Sequence, residues 1–195
     1  YLGTYNTYNT ISASATSYIT GDNAAKIGVS QFPAYLYNVE IKKSAITEVA
    51  TDTAFKFGLV QGNLEKTLYF TGAMSGNYLA TTESISKAVD VYVEAVEGGY
   101  RLYFMAEDAK TYIDIYEYKE GKAGIRLTTE PTAVYTWNEE LHIFITNVAG
   151  EDRYLGTYNT YNTISASATS YITGDNAAKI GVSQFIAQLV TLSVY

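Results

Sequence analysis

Cysteine is absent, and histidine and tryptophan occur once each, beside only two prolines. Without cysteine, neither a disulfide nor a thiolate metal site can form. The compartment stays open on that evidence, because many secreted bacterial proteins also lack cysteine. The single histidine, His142, has no second imidazole to work with, so a zinc site would rest on carboxylates, an uncommon donor set. No thiol and no GxSxG elbow are present for nucleophilic catalysis. GNLEKT at residues 62–67 lacks the glycine that a phosphate loop places before its lysine. No apolar run reaches the roughly 18 to 20 residues of a membrane span. No basic stretch followed by an apolar one opens the chain, so any signal peptide is expected outside this segment. Basic residues are also few: 13 Lys and Arg face 20 Asp and Glu, for a net charge of −7 and a pI near 4.7. An acidic surface repels phosphate, and nucleic acid is excluded as an expected partner on that ground.

What the chain has is tyrosine and a repeat. Twenty tyrosines and seven phenylalanines stand among 195 residues of which 47% are hydrophobic. That composition supports a sizeable core and leans towards strands. Residues 1–32, YLGTYNTYNTISASATSYITGDNAAKIGVSQF, recur letter for letter as residues 154–185, an offset of 153. Internal repeats govern how a fold is read. Past the repeat the copies part: PAYLYNVEIKK follows Phe32, and IAQLVTLSVY follows Phe185. The second tail is uncharged and begins with isoleucine where the first has Pro33, which cannot donate to a ladder. It is therefore the better candidate for an interior strand.

In the repeat, YLGTY and the following Tyr, Asn, Thr and Ser pattern read as strands and polar turns. GDN is a turn signal, with a short helical turn expected at Ala24 to Lys26. Strands are expected over 28–32 and 35–41, and KKSAITEVATDT (42–53) reads as a linker. From Phe55 onward, three hairpins are expected. They are LYF (68–70) with NYLATT (77–82), LYF (102–104) with TYIDIY (111–116), and IFI (143–145) with RYLGTY (153–158). Each is followed by a third strand, a short ESI (83–85), GIRLTT (124–129) or TISASAT (163–169). Each group then closes on a fourth strand ending in an aromatic: AVDVY at Tyr92, AVYTW at Trp137 and GVSQF at Phe185. Their equivalent positions make core packing the better account of these three aromatics.

This threefold order resembles the β-trefoil fold over residues 55–195, with the third strand of the first lobe nearly absent. The resemblance implies an all-β protein with three lobes of about four strands, and an extra duplicated third lobe at the N-terminus. Residues 1–41 would be the third lobe of a preceding module, 42–54 a linker and 55–195 a complete module. KFGLVQGNLEKTLYF, YLATTESISKAVDVYVEAVEGGYRLYF and VYTW are similar to repeated modules of large secreted or wall-attached proteins of gut-dwelling Gram-positive bacteria. That resemblance implies a secreted or cell-surface location and an accessory role.

Catalysis is not expected, and neither is a cofactor. His142 alternates with Leu141 and Ile143 and reads as a strand residue at a surface or rim. The carboxylate pairs Glu107 with Asp108, Glu139 with Glu140, and Glu151 with Asp152 read as solvated turn charge. A glycosidase pair would instead face across roughly 5 to 9 Å of cleft. Asp175 and Asn176 lack the ligand spacing of a calcium loop. The tyrosines of YLGTYNTYNT differ from the core aromatics. Tyr158, Asn159, Tyr161 and Asn162 combine flat apolar rings with amide donors and acceptors, a set suited to a sugar ring or a protein interface. The plainer account is a polar hairpin edge decorated with tyrosines. The expected role is a non-catalytic adhesion or ligand-binding module, with a glycan or a surface protein as partner. The alternative is a structural spacer, or a repeat that self-associates through its duplicated lobe.

Overall fold

The structure, a computed structural model, describes residues 2–5, 12–13, 19–27, 31–33, 41–158 and 161–194. They fall into two compact units, residues 1–40 and 41–195. Every described ladder is antiparallel, and the chain is all-β with short 3-10 turns.

In the first unit, β1 (Leu2–Tyr5) pairs with β2 (Ser12–Ala13) on one side and β3 (Gln31–Pro33) on the other. The expected helical turn is a 3-10 turn, Gly21–Lys26. The strand expected over 35–41 lies outside the described residues apart from Ile41.

The second unit joins thirteen strands into one sheet. They are β4 (Ile41–Ala45), β5 (Phe55–Val60), β6 (Thr67–Ser75), β7 (Tyr78–Thr82), β8 (Asp90–Val96), β9 (Gly99–Ala106) and β10 (Ala109–Lys119). The rest are β11 (Lys122–Thr128), β12 (Thr136–Asn138), β13 (Ile143–Val148), β14 (Glu151–Tyr158), β15 (Ser165–Ala168) and β16 (Gln184–Val194). Alternation decides which faces turn inward: Phe55, Phe57 and Leu59 on β5, Val91 and Val93 on β8, and Leu102 and Phe104 on β9 are all buried. These side chains form one main core, and Ile143, Tyr154, Ile172 and Ile186 form a smaller one.

Two-residue turns set the registers. On β9 and β10, Ala106 faces Ala109, and the turn residues Glu107 and Asp108 both have positive φ, 49° and 64°. This is the backbone of a type I′ turn, whose twist matches that of the flanking strands. The pair of acids expected as solvated charge thus makes a turn more often built by Asn-Gly. Ala149 and Gly150 make the equivalent turn between β13 and β14.

Four expectations change. The third strand expected at 83–85 does not form; Ile85–Lys87 is a single 3-10 turn. The extra strand of that region lies upstream instead: β5 pairs with β6 through Gly58 and Tyr69, with β8 through Phe55 and Val91, and with β16. The stretch read as a linker begins as β4, which pairs with the end of β16, and Ile46 is buried in the core. His142 is not in a strand: it occupies the turn before β13 with φ +54° and stacks on Trp137, ring centroids 6.1 Å apart. Of the three marker aromatics, Phe185 is buried. Trp137 is half-buried against Phe144, and Tyr92 is half-buried and stacked on Tyr103 at 5.4 Å. In the region before β12 the inward aromatic is Tyr135, fully buried, whose hydroxyl donates to the Ile113 carbonyl at 3.0 Å.

Candidate ligand-binding site

Tyr161 follows the end of β14 and keeps 57% of its surface exposed. With Tyr78, Thr157 and Ser165 it lines a cleft of about 230 Å³. Tyr78 opens β7 and is 49% exposed, although it is distant in sequence. The two are brought together by backbone. Leu79, the next residue, donates its N–H to the Ile164 carbonyl at 2.9 Å, and Ile164 donates back at 3.2 Å. Both side chains are fully buried, so the neighbouring tyrosines are anchored from beneath.

Asn162 belongs to this anchorage. Its Oδ1 accepts a hydrogen bond from Gln61 Nε2 at 2.9 Å, and its main-chain carbonyl accepts one from the Thr81 hydroxyl. The backbone of Tyr158 closes β14 opposite Gln184. The side chain of Tyr158 and the whole of Asn159 lie outside the described residues. Of the four residues read from sequence, the described structure therefore places Tyr161 on the cleft and gives Asn162 a tethering role beside it.

A second cleft of about 260 Å³ shares Tyr78 and Ser165 with the first and adds Tyr116 and Tyr118 from β10. Tyrosines from three hairpin regions thus converge on two adjoining hollows. Tyr116 is held: the Arg126 guanidinium lies 4.4 Å from its ring centroid. Arg126 is itself fixed by Asp114, to whose Oδ2 its Nε donates at 2.8 Å. Asp114 is fully buried and also accepts the backbone N–H groups of Thr132 (2.9 Å) and Ala133 (2.7 Å). A buried carboxylate with several donors is a rigid bracket, as buried charge must be paired. Gly124 lies across the ladder from Tyr116, and a Cβ there would come 3.0 Å from the Tyr118 ring. Its bareness gives that ring room.

Sequence reading missed Tyr78, Tyr116 and Tyr118 as lining residues. Tyr118 carried a usable signal, a third tyrosine spaced by two in TYIDIYEY, which puts Tyr112, Tyr116 and Tyr118 at even offsets along one strand.

The two hollows are alike in their lining. They offer aromatic faces and hydroxyls, and neither lining includes a carboxylate, an imidazole or a lysine. Among the described residues no group of three His, Asp or Glu side chains is placed to hold a metal ion. A further hollow of about 650 Å³ is an open trough between β10 and β13 bordered by Glu117 and Asp152. Elsewhere, Lys110 Nζ sits 2.7 Å from Glu94 Oε1, and the Tyr112 hydroxyl donates to the other Glu94 oxygen at 3.1 Å. The Lys110 hydrogen bond holds the Glu94 carboxyl below its ordinary range, and Glu94 raises Lys110 in return. Burial, more than the Glu94 contact, raises Tyr112.

Among the described residues no helix is long and apolar enough to cross a membrane, which says nothing of membrane strands. No protein-family model matches the chain, and no curated protein or solved structure resembles it at a significant level.

Proposed function

We propose that residues 55–195 are a β-trefoil module whose tyrosine-lined hollows bind a glycan, and that the module serves adhesion outside the cell rather than catalysis. Four features of the pairing support the trefoil. Strands β5 to β16 divide into three successive groups of four. Consecutive groups are stitched by β8 to β9 and β12 to β13, and the last strand, β16, returns to the first, β5. Tyr100 and Tyr135 exchange two backbone hydrogen bonds of 2.8 Å, joining the first strand of the second group to the approach of its last. The Leu79 and Ile164 bridge links hairpins of the first and third groups.

The observation that carries the binding reading is the pairing of Tyr78 and Tyr161, both about half exposed, over one small hollow. An exposed apolar ring has nothing to gain from solvent, whereas a sugar offers C–H groups to its face and hydroxyls to its edge. The acidic net charge favours a neutral glycan over a sulfated or phosphorylated one.

The test is a glycan array probed with the whole chain and with Tyr78→Ala combined with Tyr161→Ala. Retention on a neutral glycan that is lost in the double variant, with unchanged thermal unfolding, supports the reading. No retention on any glycan by the folded parent chain sinks it and favours the spacer role.

A further inference from the structure

The two copies of the repeated string share register as well as letters. Leu2 pairs with Ala13 and Gly3 with Ser12; in the second unit Leu155 pairs with Ala166 and Gly156 with Ser165. Gly3, Thr4 and Tyr5 face Pro33, Phe32 and Gln31; Gly156, Thr157 and Tyr158 face Ile186, Phe185 and Gln184. Each partner is displaced by the same 153 positions. The 3-10 turns Gly21–Lys26 and Gly174–Lys179 also correspond. Over its described residues the string therefore pairs in the same register in both units.

Residues 154–194 occupy a defined seat. Ile164 bridges to Leu79, Asn162 meets Gln61 and Thr81, and Leu189 accepts the Ile46 N–H at 3.0 Å. At the same offset the first copy has Ile11, Asn9 and Leu36. The correspondence thus outlasts the identical run: Ala34 and Leu36 stand where Ala187 and Leu189 are 2% and 0% exposed in the core. Pro33 and Tyr37 replace Ile186 and Val190, so the match at the tail is partial.

We propose that the seat filled by residues 154–194 also accepts residues 1–41, and that the donor is a second copy of this chain. The choice of donor follows from β4. Its residues Ile41 to Ala45 pair antiparallel with Val194 to Val190. In a seated first copy, residues 37–41 take the place of 190–194. Within one chain, 37–41 run directly into 42–45 with no residues left for a turn, so the five-pair ladder is lost. When the donor is another molecule, the acceptor's own β4 pairs with it in the same register. Head-to-tail donation that does not close gives chains of molecules, and reciprocal donation gives dimers.

The test disables the resident copy in the full-length chain with Ile164→Asp and Leu189→Asp. Gln61→Cys and Asn9→Cys are added and bridged by a short bis-maleimide, which is unambiguous because the chain has no cysteine of its own. Gln61→Cys with Asn162→Cys in the otherwise unaltered chain calibrates the bridge. The expected result is cooperative unfolding, read from Trp137 emission, with bridged product at twice the chain mass or more and increasing with concentration. A bridge found only at monomer mass overturns the second-copy donor. Absence of a bridge, or unfolding as complete as when Ile11→Asp and Leu36→Asp are added, overturns the exchange itself.

Discussion

Leu79 and Ile164 are fully buried and exchange two backbone hydrogen bonds, although they stand 85 positions apart in the chain. This pair fastens the end of one hairpin to the start of another. Both candidate hollows lie beside it, through Tyr78 and Ser165. Leu79→Ala leaves a cavity under that junction and is expected to cost about 2–5 kcal/mol, read by urea unfolding. A loss below about 1 kcal/mol would show that the junction does not depend on packing.

Gly156 tests close approach. A Cβ there would lie 2.2 Å from the Tyr154 ring and 2.4 Å from the Phe185 carbonyl oxygen, a backbone atom of the β14 and β16 ladder. Gly156→Ala is expected to destabilise the second unit by about 3 kcal/mol, the upper end for overpacking. Gly3→Ala, the same change in the other copy, should leave the melting of the second unit where it was. Differential scanning calorimetry of the two variants makes the comparison.

Asp114 tests the bracket behind Tyr116. Asp114→Ala takes the acceptor from two backbone N–H groups and the partner from Arg126, whose side chain is 37% exposed and so partly solvated, at an expected cost of about 1–3 kcal/mol in chemical denaturation. Asp114→Asn retains acceptor capacity but not charge, and should fall between the parent and Ala variants.

The Glu94 and Lys110 pair gives a pH signature. Glu94 has a lowered folded pKa, so its contribution is present above the ordinary carboxylate range and is lost as pH falls through the folded value. Lys110 is raised, so its contribution holds through neutral pH and disappears only on the alkaline side. Both side chains are partly exposed, 27% and 43%, and solvent screening keeps the pair under about 1 kcal/mol. Glu94→Gln should lower the melting temperature slightly at pH 7 and by less at pH 3. Equal losses at both pH values would assign the effect to packing.

Inward faces were legible wherever strands alternate, as at Phe55, Phe57 and Leu59. Strand rank was not. Leu68, Tyr69 and Phe70 repeat the letters of Leu102, Tyr103 and Phe104, yet they lie on β6, between β5 and β7, whereas the second set lies on β9, between β8 and β10. Three apolar letters carry no record of their partner, and it is the ladder from Tyr69 to Gly58 that sets the rank. Asp114 was hidden for a related reason. Alternation between two isoleucines would point it outward, but Ile113, Asp114 and Ile115 are all buried because the segment at Thr132 and Ala133 covers the other face. Tyr161 was visible as a tyrosine in polar company. Its neighbour Tyr78 becomes visible only once Leu79 meets Ile164.

The matched registers of β1 to β3 and of β14 to β16 make the chain its own control experiment. Two amides 153 positions apart share side chain, neighbours, solvent and temperature over a 32-residue run. Any difference between them in hydrogen exchange or chemical shift isolates what the surrounding core contributes, with the local sequence held constant inside a single molecule.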